Sequence, residues 1–243
     1  MRDEDALLKV ETILQGATSI AKSWSDKRGD LTVDEKSYGQ FASDADLEIE
    51  HEVRSALADA FPEDQVIGEE LGGELTPDQS GWAIDPIDGT SNFVLGLPIW
   101  GISLGYVANG VSRLGGISLP DLGLTLSAQT GQGLRINGQR MTQAKAHPAV
   151  KLIALGENDY ETGRDTDQRA QALRDQGFAV VRYRCAVFSL AMSALGRLSG
   201  YVEHGCGLWD LAAAETICRE AGMTVATQAI APGRYAIDAR WPK

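Results

Sequence analysis

The chain has 243 residues, 43% of them hydrophobic, enough for one large core or two closely packed halves. A formal net charge of −12 argues against nucleic acid as the main partner, since phosphate backbones attract basic faces, yet carboxylates that gather cations can still draw a small phosphorylated molecule. No apolar run is long enough to cross a membrane, the charged start at Met1 is unlike a secretory signal, and Cys185, Cys206 and Cys218 lack paired spacing, which fits a reduced cytoplasmic chain without a zinc site.

Apolar residues at helical spacing predict an amphipathic helix over 5–24, broken by Lys27-Arg28-Gly29-Asp30. Residues 31–38 alternate weakly and read as a strand or small hairpin. A second helix is expected from a cap at Ser43 or Asp44 to Phe61-Pro62. Asp44 and Asp46 then stand in a first turn, where acids serve the helix dipole. Residues 65–67 form a short strand leading into Gly68-Glu69-Glu70, whose plainest reading is a solvated loop. The polar stretch 72–81 is a loop able to move over a site.

Trp82-Ala83-Ile84 reads as the end of a buried strand that delivers Asp85 to an edge. Pro86 pushes Asp85 towards an extended conformation, so the chain is expected to turn at once. Asp88 follows, Gly89 permits close backbone approach, and Thr90-Ser91-Asn92 offers cap chemistry for a short helix. Two carboxylates thus stand beside a helix start whose N–H groups can hold an anion. Mg²⁺ commonly binds through a few carboxylates plus substrate phosphate oxygens, so the stretch has the parts that metal-assisted phosphoryl transfer needs. The same residues also fit a plain Asp-Pro, Asp-Gly turn.

Strands are expected at 98–108, 115–119 and 124–129, with Val111 between the first two, and Asn137-Gly138 signals a hairpin. The second half opens near Lys145 with a strand at 152–155, helices at 167–176 and 187–198, and strands at 179–183 and 200–203. A helix core at 215–221 and a strand at 236–239 complete an alternation typical of an α/β half. Asp210, in Leu208-Trp209-Asp210-Leu211-Ala212-Ala213-Ala214, stands at a helix start. Capping the helix and holding a metal are compatible there, because a carboxylate has two oxygens. Glu203 ends a strand, and His51, His147 and His204 show no pairing that suggests catalysis.

The run from Asp85 to Phe93, Asp-Pro-Ile-Asp-Gly-Thr-Ser-Asn-Phe, resembles the signature of the inositol monophosphatase family, Mg²⁺-dependent and typically lithium-sensitive phosphatases related to fructose bisphosphatase. Gly68-Glu69-Glu70, the Asn137-Gly138 turn and Trp209-Asp210 resemble further family landmarks in the right order, so the resemblance spans nearly the whole chain. It implies an α/β fold, a layered αβαβα sandwich with an α+β half over 1–143, an α/β half over 144–243 and a site between them. It further implies two or three Mg²⁺ per site: one on Glu69, Asp85 and the Ile87 carbonyl, another on Asp85, Asp88 and Asp210. Thr90, polarised by Asp46 (with Asp44 a nearby competitor), would orient the attacking water alongside Glu69. Asp88, Gly89, Thr90, Ala186 and Glu203 would contact a small phosphorylated substrate, and a homodimer is expected by analogy.

Arg182-Tyr183-Arg184-Cys185-Ala186-Val187 departs from the family pattern, with Arg184 in place of a Gly and Cys185 in place of a Ser. Arg184 either recognises a second anionic group in bidentate fashion or points outward to a surface acid. The implied reaction is hydrolysis of inositol monophosphate or a related polyol or sugar phosphate. Histidinol phosphate, a sugar bisphosphate or a nucleotide 3′-phosphate are alternative substrates, and a non-catalytic regulatory homologue is the alternative of another class.

Overall fold

The computed structural model describes residues 4–37, 40–76, 78–141 and 144–242. The apolar stripe of the first helix, α1 (Glu4–Ser25), buries Leu7, Val10, Leu14 and Ala17. A single 3₁₀ turn at Arg28–Asp30 follows where Gly29 breaks the pattern. Strands β1 (Val33–Ser37) and β2 (Gln40–Ser43) pair as an antiparallel hairpin, so the weak alternation after Leu31 belongs to one arm of it; Tyr38 lies outside the described residues. Helix α2 (Asp44–Ala60) starts at Ser43 and packs beside α1.

Both helices cover one face of a seven-stranded sheet. Its strands β3 (Gln65–Gly68), β4 (Ser80–Asp88), β5 (Gly101–Ala108), β6 (Val111–Leu119), β7 (Leu124–Gln129), β8 (Leu134–Ile136) and β9 (Gln139–Arg140) are neighbours in chain order. Only β3 and β4 run parallel. Asn137 and Gly138 make the tight turn between β8 and β9 with φ of 50° and 75°, the left-handed pair that such hairpins require.

Two local expectations fail here for physical reasons. The chain does not turn at Pro86: β4 continues to Asp88, with a register shift against β5 between Asp85 and Asp88. A bulge absorbs the proline's missing N–H and re-aims both aspartates. Nor does Gly115-Gly116 start a separate strand after Val111, because β6 is continuous. The glycines serve packing on both faces: a Cβ on Gly115 would lie 2.5 Å from the Ala213 backbone, and one on Gly116 would lie 2.4 Å from Leu14.

A five-stranded sheet follows in the order β11-β10-β12-β14-β13: β10 (Leu152–Leu155), β11 (Ala179–Val181), β12 (Gly200–Cys206), β13 (Thr224–Ala231) and β14 (Arg234–Arg240). The first three are parallel and the last two antiparallel to their neighbours. Strand β13 has no counterpart in the sequence reading, since it is a half-exposed edge with little apolar alternation. A short helix, α3 (Thr90–Val94), follows β4, and α4 (Gly163–Asp175) packs its Ala170 and Leu173 on the outer face of β10. Helices α5 (Ala186–Ala194) and α6 (Leu208–Ala221) lie between the two sheets. The layers are α1/α2, the seven-stranded sheet, α5/α6, the five-stranded sheet and α4: the αβαβα sandwich. Among the described residues, no helix is long and apolar enough to cross a membrane.

Candidate active site

The β4 bulge and the first turn of α6 bring three carboxylates together. Single oxygens of Asp85, Asp88 and Asp210 all lie within 4.8 Å of one another. Asp85 is 1% exposed, and neither of its oxygens has a donor among the described residues. Burial, then the charges of Glu69, Asp88 and Asp210, raise its pKa well above the usual carboxylate range. Burial likewise raises Asp210, with Asp88 and Glu203 adding to it. Asp88 is pushed up to about 7 by burial, although its Oδ2 accepts the Val187 N–H and the Cys185 thiol at 3.1 Å. Buried acids at this spacing repel one another unless a cation or protons intervene. The donor set, all hard oxygen, fits Mg²⁺.

Asp210 is not the residue that precedes α6. It is the third residue of that helix, and its Oδ2 reaches back to accept the Gly207 N–H at 2.7 Å. Its other oxygen takes no part in that bond, so capping α6 is compatible with a place in the cluster. Glu69 stands apart from this trio. Its Oε1 lies 2.8 Å from the Lys36 ammonium on β1, which also pairs with Glu70 at 2.5 Å. Burial opposes the charge on Lys36, but Glu69 and Glu70 outweigh it and hold the lysine above its usual range.

Beside the cluster the chain passes through Gly89 at φ 87°, and α3 begins at Thr90. The cap is therefore Gly89 rather than the hydroxyl and amide residues after it. A side chain at Gly89 would be strained twice over: its Cβ would lie 2.9 Å from the Ile99 carbonyl and 3.1 Å from Cys185. Thr90 Oγ1 lies 3.2 Å from Asp46 Oδ1 and 3.1 Å from the Ile87 carbonyl, to either of which it can donate. Asp46 is 1% exposed and accepts both the N–H and the hydroxyl of Ser43. Burial pushes it up to about 7 against those bonds. Asp44 instead accepts the Thr32 N–H at 3.0 Å, so of the two candidates only Asp46 meets Thr90.

A cleft of about 240 Å³ joins these residues to the second sheet. Glu203 lines it, accepting from Asn158 at 2.9 Å and from the Tyr201 hydroxyl. Burial raises its pKa despite both bonds. Ala186 and Arg184 line it too, Arg184 in the left-handed region at φ 52°. Sequence reasoning missed Lys36, Asn158 and Arg234, all of which reach the cleft from half-exposed strands and a loop that carry no motif. Cys185, Cys206 and Cys218 are all buried, and Cys185 also touches Asp88. His204 faces Glu161 at 2.8 Å.

The acids set a pH dependence whose sign is fixed. Asp46 and Asp88 bind protons more tightly folded than unfolded, so without metal they stabilise the fold at low pH, and this is lost as pH rises through about 7. In chelator, the melting temperature is expected to fall by on the order of 5–10 °C between about pH 5 and about pH 8, and millimolar Mg²⁺ should flatten the slope. Thermal melts across that range check it; a metal-free protein that gains stability on the alkaline side would refute the assignment.

The inositol monophosphatase family model matches residues 2–237. A protein of Sinorhizobium fredii, y4fL, is 34% identical over 233 residues, covering 96% of this chain and 82% of its own. The inositol-1-monophosphatase SuhB of Mycobacterium tuberculosis is 34% identical over 195 residues, covering 74% of this chain and 66% of that protein. The crystal structure of the extragenic suppressor protein suhB from Bartonella henselae superposes with a TM-score of 0.87 at 24% identity, covering 98% of this chain and 94% of the other.

Proposed function

The chain belongs to the inositol monophosphatase family, and we propose that it is a Mg²⁺-dependent hydrolase of a small phosphate monoester. One observation carries the reading: a buried aspartate without a donor among the described residues, Asp85, sits with two further carboxylates beside the Thr90–Asp46 pair. Asp85, Asp88 and Asp210, with Glu69 and the Ile87 carbonyl, would hold two or three Mg²⁺. When bound, such ions activate a water nucleophile and neutralise charge on the phosphate and the departing oxygen.

The chain's own groups do the rest. Thr90 Oγ1 donates a hydrogen bond to Asp46 and so turns a lone pair towards water, orienting it for in-line attack. Asp46, pushed up to about 7, is suited to share a proton near neutrality. The N–H groups of Gly89 and Thr90 hold phosphate oxygens. Glu203, steadied by Tyr201 and Asn158, accepts a hydroxyl of the alcohol moiety. Arg184, held in a conformation that costs a side-chain-bearing residue about 1–3 kcal/mol, lines the cleft's flank, where it would touch the substrate.

Phosphate release from a panel of esters tests the reading: inositol phosphates, histidinol phosphate, sugar mono- and bisphosphates and a 3′-phosphonucleotide. An inositol or polyol monophosphate is the expected best substrate. A doubly anionic preference that disappears in Arg184→Gly would move the assignment to a bisphosphatase, and release from none, with Mg²⁺ still bound, would leave a binding protein. Thr90→Ala is expected to lower kcat by about 10²-fold while leaving Mg²⁺ affinity within about twofold, since the hydroxyl orients water rather than holding the cation. Turnover and calorimetric Mg²⁺ titration on the one variant check both halves.

A further inference from the structure

Helix α2 carries a second buried acid one turn beyond Asp46. Glu50 is 0% exposed and lies under the turn that follows β3. Its Oε2 accepts the Glu70 N–H at 2.9 Å, and its Oε1 accepts the Leu71 N–H at 3.2 Å. Arg54, one turn further along the same helix, pairs with Oε1 at 2.8 Å and donates to the carbonyl of Gly72 at 2.5 Å. The turn closes on itself through Gly68 N–H to the Gly72 carbonyl at 2.9 Å. It is tied to β4 by the Glu69 N–H, 3.2 Å from the carbonyl of Ile84, the residue before Asp85. Gly68 is open for one reason: a Cβ there would lie 2.0 Å from the Glu50 carboxylate.

We infer that Glu50, braced by Arg54, is a positioning residue for Glu69, fixing the backbone from which that side chain would reach a cation held at the cluster. Residues at i and i+4 share one helix face. A single face of α2 therefore supports both parts of the site, Asp46 steadying Thr90 and Glu50 steadying the Glu69 turn. Glu50 never reaches the cation: the Glu70 and Leu71 N–H groups and Arg54 occupy its oxygens. The inference rests on Glu69 being a cation ligand, as proposed above.

Calorimetric Mg²⁺ titration of the full chain tests it, with Glu69→Gln as reference. Glu50→Gln keeps one acceptor oxygen but loses the charge that orders the turn; it should weaken the Glu69-dependent binding event by about 10-fold or more. kcat at saturating Mg²⁺ should stay within about threefold, because the weakened cation is restored by mass action. Arg54→Lys, milder and safer for folding, should shift the same event in the same direction by a smaller factor. An isotherm in both variants that matches the parent, while Glu69→Gln changes it, overturns the role of Glu50. Parent-like binding in Glu69→Gln itself overturns the ligand reading on which it rests.

Discussion

Asp85→Asn is expected to cut Mg²⁺-dependent phosphate release by on the order of 10³-fold while leaving the metal-free protein folded and more heat-resistant than the parent. The two effects share one cause. Asp85 is buried, lacks a donor among the described residues and faces the carboxylates of Asp88 and Asp210, with the charge of Glu69 adding to the repulsion. As a centre for cations that arrangement is useful; without them it costs stability, because a like-charged group is held out of water. Asparagine has nearly the same shape, carries no charge and can donate to its acidic neighbours. Thermal melts in chelator should therefore rise above the parent near pH 8, and the gain from added Mg²⁺ should shrink. A variant that keeps turnover within about tenfold, or melts lower than the parent without metal, would remove Asp85 from the centre of the site.

The second large effect lies away from the chemistry. Gly105 and Gly115 are partners across β5 and β6, and α6 rests directly on them. A Cβ on Gly105 would lie 2.3 Å from the Ala213 nitrogen, and one on Gly115 would lie 2.5 Å from the Ala213 Cα. Backbone, unlike a flexible side chain, cannot step aside, so Gly115→Ala must lift the helix. The expected loss is about 2–4 kcal/mol, or roughly 5–15 °C in melting temperature. Because α6 carries Asp210, the Mg²⁺ midpoint should rise in the same variant. Gly16→Ala is the matched control: it lies exposed inside α1 with nothing within 4 Å of its Cβ, and should stabilise by about 0.5–1 kcal/mol. Equal melting temperatures for Gly115→Ala and the parent would mean that α6 has room to move, contrary to the packing.

The layers were legible where a period was strong. The stripe of α1, the apolar-polar alternation of β7 and the short apolar run of β10 announce themselves because each buries one face or both. Strand β13 was not legible, since an edge strand with one open side needs no apolar alternation. The glycines of β6 misled for a related reason: a residue chosen for what lies above it looks, in one dimension, like a break. At the site, Asp85, Asp88, Gly89 and Thr90 are near in the chain, so their grouping is local and readable. Asp46 and Asp210 arrive by tertiary packing, which only the family resemblance anticipated. Lys36 held against Glu69, and Glu50 under the turn, belong to contacts between distant elements that leave no pattern in composition or spacing.

The position of α6 between the two sheets also bears on the order in which the molecule is made. A chain emerging from the ribosome presents β3 to β9 long before residues 208–221 exist outside it. Until then the glycine floor at positions 105 and 115 has no helix on it, and Asp85 and Asp88 wait without Asp210. A cation that needs Asp210 as a ligand therefore cannot template the early half, and the open inner face of that sheet is the surface on which a nascent chain would be held by a chaperone or lost to aggregation. Completion of the three-carboxylate cluster is a late event, set by the arrival of one helix.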